Sequence, residues 1–212
     1  IPAACPVCGG ATRIHMDNDT KTLYCENPQC QAKHVKSFTL FVSRDAMNIE
    51  GLSEATLEKF IQHGYIKDFT DIFHLDRYEE QIKNMDGFGE KSYINLQKSI
   101  ETARDTTMPR LIYSLGIPNI GAANAKVISR ALNQDPQRIL DATEEELSAI
   151  SGVGAVIAGT FVDYFADQEH RDVFLRLLDE VRIPQEEENR ADEQIFSGMN
   201  FVITGSVNHF AN

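Results

Sequence analysis

Apolar positions divide the chain into segments of different period. Between residues 45 and 180 they recur at helical spacing, and strand-like alternation is nearly absent. Thr12 to His15 and Thr22 to Tyr24 alternate as two short strands could, joined by a Thr- and Asp-containing segment. Residues 185–194 are polar and acidic and read as a linker. After it, the apolar run 195–205 ends in Thr204-Gly205 and reads as a buried strand. The predicted architecture is mainly α, with a small β-hairpin first and a single strand last.

The helical region repeats itself. Ile49-Glu50-Gly51-Leu52-Ser53 precedes Ala55, Leu57, Phe60 and Ile61 at helical spacing. Met85-Asp86-Gly87-Phe88-Gly89 precedes Tyr93, Leu96 and Ile100 in the same way. Ile117-Pro118-Asn119-Ile120-Gly121 precedes Ala125, Ile128 and Leu132, and Ile150-Ser151-Gly152-Val153-Gly154 precedes Ala158, Phe161 and Phe165. The steps between copies are 36, 32 and 33 residues. The unit resembles the helix-hairpin-helix motif, in which Gly, an apolar residue and Gly join two short helices. The second and fourth copies match it fully. Ser53 replaces the second glycine of the first copy, and Asn119 the first glycine of the third. Asn tolerates positive φ better than most residues, so the latter departure is mild.

Such a turn suits phosphate. Two glycines remove Cβ atoms, and the helix that follows points its unpaired N–H groups and positive dipole end at the same place. The central residue (Leu52, Phe88, Ile120 or Val153) is expected to plug the two-helix core. Contact through main-chain donors reads backbone spacing and not base sequence. The candidate DNA-contacting residues are therefore Gly51 and Ser53, Gly87 and Gly89, Asn119 and Gly121, and Gly152 and Gly154. Lys91 and Lys126 follow the second glycine of their copies and are expected to add side-chain contacts. Four copies suggest two paired modules gripping both strands of a duplex.

Composition limits the alternatives. The chain has 212 residues, 42% hydrophobic and 25% charged, which excludes wholesale disorder. No apolar run approaches the ~18 residues of a membrane span, and no secretory h-region opens the chain. The first residue is Ile1, so the chain is expected to be a piece of something longer. Twenty basic against thirty-two acidic residues give −12, which argues against gripping nucleic acid through bulk charge. Main-chain contacts need no lysine, so the charge and the repeats are compatible. Only residues 1–44 are net positive, with five basic and three acidic side chains, and they carry all the cysteines.

Those cysteines form two close pairs, Cys5 with Cys8 and Cys25 with Cys30. Two pairs on tight turns joined by a short hairpin are the pattern of a four-thiolate zinc site, with Gly9 and Gly10 letting backbone N–H groups face sulfur. Four thiolates leave no open position, so the metal would be structural. A redox dithiol would need one pair beside a βαβ unit, and a disulfide framework a secreted chain. His15 and His34 lie nearby and read as surface histidines. About 35 residues cannot build a sufficient core alone, so this module is expected to fold on metal and to melt without it.

The run 195–212 resembles the opening strand of a BRCT domain, cut short. Zinc module (1–44), helix-hairpin-helix array (45–184), acidic linker (185–194) and BRCT start (195–212) together resemble the C-terminal half of bacterial NAD-dependent DNA ligases. The carrying segments are C-P-V-C-G with its second cysteine pair, F-V-S-R-D-A-M-N-I-E-G-L (41–52), M-D-G-F-G-E-K-S (85–92), R-L-I-Y-S-L-G-I-P-N-I-G (110–121) and F-V-I-T-G. The resemblance implies a parent enzyme that seals nicks in duplex DNA during replication and repair, using NAD and magnesium bound elsewhere. It implies structural zinc in this part, contact with nicked duplex DNA and with the catalytic half, a monomer, and a cytoplasmic location. No catalytic residue is expected here: the adenylated Lys-x-Asp-Gly motif is missing, Lys67-Asp68 being followed by Phe69. The rival readings are a non-enzymatic DNA-structure-binding repair adaptor and a helical scaffold for protein partners.

Overall fold

The computed structural model describes residues 2–17, 20–27 and 29–184. The expected linker and BRCT-like segment lie outside the described residues. Strands β1 (Thr12–Asp17) and β2 (Thr20–Cys25) pair antiparallel, with Ile14 opposite Leu23 and Thr12 opposite Cys25. Helix α1 (Gln31–Val42) follows directly from Cys30. No helix among the described residues is long and apolar enough to cross a membrane.

Each sequence repeat becomes two helices around a turn. Copy one runs from α1 to α2 (Glu54–Gln62), and copy two from α3 (Glu79–Lys83) to α4 (Glu90–Ala103). Copy three joins α5 (Met108–Ser114) to α6 (Ala122–Ala131). After the short α7 (Pro136–Leu140), copy four joins α8 (Glu144–Ser148) to α9 (Ala155–Ala166). The second helix of every copy buries the apolar stripe read from the sequence: Leu57 and Phe60, then Tyr93, Leu96 and Ile100, then Ala125, Ile128 and Leu132, then Ala158, Phe161 and Phe165. Ala55, which faces solvent, and Ile61, which is only partly buried, are the exceptions. The four copies share one contiguous core running from Phe38 to Leu177.

Helix α1 belongs by sequence to the cysteine segment and by packing to the array. Phe38 and Phe41 are fully buried, and Phe41 stacks flat on Phe69 at 4.6 Å. Phe69 opens a 3-10 segment, Phe69–Tyr78, capped by Asp68 and Asp71 and kinked at His74. The repeat pattern did not foreshadow this segment.

Nor did it foreshadow α10 (Gln168–Glu180), which leaves copy four and returns to the 3-10 segment between the first two copies. Its last residue accepts from both sides: His74 Nε2 lies 2.6 Å from Glu180 Oε1, and Arg104 Nη1 2.7 Å from Oε2. Arg104 also donates to the Phe73 carbonyl at 3.1 Å. One residue pair later, Arg182 bridges to Asp105 and Glu101 at 2.7 and 2.9 Å. Burial pushes the Glu180 carboxyl up, but the hydrogen bonds from Arg104 and His74 outweigh it and hold it below the ordinary glutamate range.

A group held low when folded stabilises above its unfolded pKa and loses that contribution as pH falls through the folded value. Arg104→Ala should therefore cost about 2 kcal/mol at pH 7, the scale of hydrogen bonds to a charged group. Urea unfolding at pH 7 and pH 3 checks this: the gap to wild type should shrink in acid, as Glu180 protonates in both proteins.

Candidate metal centre and nucleic-acid interface

The cysteine cluster is built by three turns. Gly9 adopts φ +69°, its N–H donating to the Cys5 carbonyl at 2.8 Å, and the chain doubles back so that Gly10 N–H donates to Cys8 Sγ at 3.4 Å. Gly10 has no room for a side chain: a Cβ would lie 3.0 Å from Asn27 Cβ and 3.3 Å from Cys8 Sγ. The β-hairpin then carries Cys25 back to the first pair, and Cys30 sits at the head of α1. Glycine curling and convergence are as the sequence suggested. The role of Asn27 is not legible from the cysteine spacing.

All four sulfurs lie within 4.8 Å of one another, and the group can hold a metal ion. Cys5 and Cys30 sulfurs are 3.9 Å apart, and those of Cys8 and Cys25 3.5 Å. A disulfide needs about 2.05 Å, whereas the edge of a tetrahedron of sulfurs at Zn–S distances is roughly 3.8 Å. Tetrahedral all-thiolate donors suit a soft metal such as zinc or iron.

The thiols are also electronically unequal. The Gly10 N–H and then the Asn27 side chain bring Cys8 down to about 6. Backbone bonds within the Cys5–Cys8 turn lower Cys5 as well. Burial, with its sulfur neighbours adding to it, pushes Cys25 up to about 12. One or two thiolates form readily, but further negative charge in so small a space needs a cation between the sulfurs. His34 stands apart, its Nε2 at 3.1 Å from the Lys67 carbonyl oxygen.

The four hairpins share one backbone device. Their first positions, Gly51, Gly87, Asn119 and Gly152, have φ of +92°, +86°, +64° and +88°. In copies two, three and four the turn closes with an N–H to carbonyl bond of 3.0–3.1 Å, from Phe88, Ile120 and Val153. Pro118 fits the second place of such a turn. Asn119 replaces glycine in the left-handed region, and its carbonyl receives the Asn124 amide at 3.2 Å, a support the repeat pattern did not show. Leu52, Ile120 and Val153 are buried plugs; Phe88 is only partly buried, its ring 5.9 Å from that of Phe60.

The second positions differ in kind. Ser53, Gly89, Gly121 and Gly154 are the N-caps of α2, α4, α6 and α9, all with extended, negative-φ backbone open to any residue. At Gly89, Gly121 and Gly154 a Cβ would meet nothing within 4 Å. Neither backbone strain nor internal packing therefore accounts for these three glycines; what their missing Cβ leaves is access from outside to the first amides of three helices. Ser53 is different. Its Oγ accepts from Thr56 N–H at 3.2 Å, using one of those donors internally. Gly51 is exposed but stands against α4, its Cβ position 3.7 Å from Leu96, while Glu50 N–H donates to Ser99 Oγ at 2.7 Å. The first hairpin is thus anchored on α4, and the other three present open helix starts.

Hairpins one and two border a common cleft of about 490 Å³, closed on one side where Lys59 Nζ reaches the Asp86 carbonyl at 3.1 Å. Lys91, in the first turn of α4, and Lys126, in the second turn of α6, are both exposed.

The helix-hairpin-helix motif model matches residues 110–174, which hold copies three and four. Over all 212 residues the chain is 52% identical to a DNA ligase of Lachnoclostridium phytofermentans and 50% identical to one of Ruminiclostridium cellulolyticum. It is 33% identical over 213 residues to a DNA ligase of Fusobacterium nucleatum. The chain spans about a third of the length of these curated relatives: 32%, 32% and 30%.

Two outcomes check the geometry. Cys25→Ser should abolish metal binding and remove hydrogen-exchange protection from residues 2–30, while α1 stays protected because its aromatic contacts lie in the array. Gly154→Ser should leave stability unchanged or raise it by a few tenths of a kcal/mol, because serine caps helices well. Gly152→Ser should cost roughly 1–2 kcal/mol through its left-handed φ. Denaturant unfolding of both variants measures the contrast.

Proposed function

We propose that this chain is the DNA-gripping portion of an NAD-dependent DNA ligase, holding the duplex around a nick that another part of the same polypeptide seals. The observation that carries this reading is the set of three helix starts, after Gly89, Gly121 and Gly154, left open where a Cβ would otherwise stand. The ligase names of its relatives supply the reaction class.

The grip is a backbone one. A phosphate oxygen at each open hairpin accepts from the first free N–H groups of α4, α6 and α9, assisted by the helix dipole. No cation is needed at the contact, so a chain of net charge −12 can still hold a polyanion at short range. Cys5, Cys8, Cys25 and Cys30 would hold zinc, which supplies rigidity to the N-terminal turns and no chemistry on substrate. NAD and magnesium would be held by the remainder of the enzyme and would supply the adenylyl-transfer chemistry there, with no residue of this chain taking part in it. Positioning the two ends of a nick against that centre lowers the barrier through orientation. The relatives also suit a cytoplasmic enzyme of replication and repair.

Fluorescence anisotropy with nicked, intact and single-stranded DNA across a salt series tests the reading. Duplex binding with a log–log slope of about −4 to −7, or about five to eight phosphates, is the expected result. Gly154→Val should weaken duplex binding about tenfold, the scale of one charge-assisted contact, with helix content near normal. Equal affinity of Gly154→Val and wild type would remove the fourth hairpin from the interface.

A further inference from the structure

Seven arginines and lysines lie between residues 110 and 184. Four of them, Arg138, Arg171, Arg176 and Arg182, are tied to carboxylates at Glu146, Asp141, Asp68 and Asp105. The other three, Arg110, Lys126 and Arg130, have no carboxylate partner among the described residues, and all three line one groove of about 340 Å³ along α5 and α6. A single carboxylate, Asp45, shares the lining. The fully buried Ser129 lies in the same wall, its hydroxyl without a hydrogen-bond partner among the described residues.

In so acidic a chain, three neighbouring cations with a single carboxylate beside them make a local positive well. Arg110 is held in place from behind, its Nη2 donating to the Arg44 carbonyl at 2.6 Å. Lys126 and Arg130 stand four residues apart on one face of α6, about 6 Å along the helix axis. The groove begins at Ala122, the first residue of α6. It is therefore continuous with the third hairpin.

We propose that the α5–α6 groove is a phosphodiester track: Arg110, Lys126 and Arg130 take successive backbone phosphates of the DNA strand that the third hairpin engages. Arginine forks and a lysine point charge both suit that anion. The inference rests on the DNA-binding reading above and adds side-chain contacts to a main-chain grip. It also assigns part of the salt sensitivity to this groove, because each side-chain cation that neutralises a phosphate adds about −0.9 to the log–log slope.

The test is the double variant Lys126→Gln with Arg130→Gln. Both side chains are largely exposed, so the fold is expected to persist, and thermal unfolding checks that it does. On an intact duplex the log–log salt slope should fall in magnitude by about two, with affinity near 0.1 M salt reduced more than tenfold and equally for unrelated sequences. Lys98→Gln, an exposed lysine outside the groove, should leave the slope at its wild-type value. An unchanged slope and affinity in the double variant overturns the track, whatever Gly121→Val does at the hairpin. Should wild type bind no duplex even at the lowest salt, the DNA-binding reading itself fails, and protection of Lys126 from acylation by inorganic tripolyphosphate becomes the measurement. Protection would then keep the groove as a phosphate site and overturn DNA as its occupant; no protection would overturn the groove as well.

Discussion

Each repeat has to turn the chain between two helices, and at the hairpin itself the backbone does so by passing through the left-handed region at one position. Gly51, Gly87, Asn119 and Gly152 all sit there. Glycine enters that region freely and asparagine at modest cost, so residue type and conformation match at all four. The same turn drives an apolar residue inward and releases the next helix with its first amides unbonded. Core and exposed helix starts are thus two consequences of one dihedral constraint.

What separates the copies is the next cap. Where Ser53 fills it, the hydroxyl bonds an amide of its own helix, and the turn is packed on α4. Where glycine fills it, the helix start is open, at some loss of capping. Three such openings would drift relative to one another if the copies were only strung together. One contiguous core prevents this, and α10 adds a polar tie, Glu180 receiving Arg104 and His74 from the first half of the array. The cysteine-bearing turns are joined to that body by α1, whose Phe41 stacks on Phe69.

The repeated turns were legible from sequence because a backbone demand shows as residue type, and the helix stripes because burial shows as period. The cysteine cluster was legible for the same reason: its chemistry requires four residues of one kind at close spacing. Features made by single long-range contacts were not. Arg104 and Glu180 are 76 residues apart in sequence and look like ordinary surface charges until α10 brings them together. The 3-10 segment has apolar positions compatible with any helix, so its period is silent about its kink at His74. The difference between Ser53 and Gly154 is a one-residue change whose meaning depends on whether the space outside is used. The groove cations Arg110 and Arg130 stand out only once the partners of the other arginines are known.

The central claim is that the three glycine-capped helix starts, and not the serine-capped one, are where phosphate docks. Amide chemical-shift mapping of the isotopically labelled chain on addition of a short DNA duplex tests it most directly. The phosphate grip predicts large shifts for the N–H groups of residues 90–92, 122–124 and 155–157, with residues 54–56 nearly unmoved. Equal shifts at all four helix starts would contradict the distinction between them, and shifts confined to other parts of the surface would contradict the hairpin grip altogether.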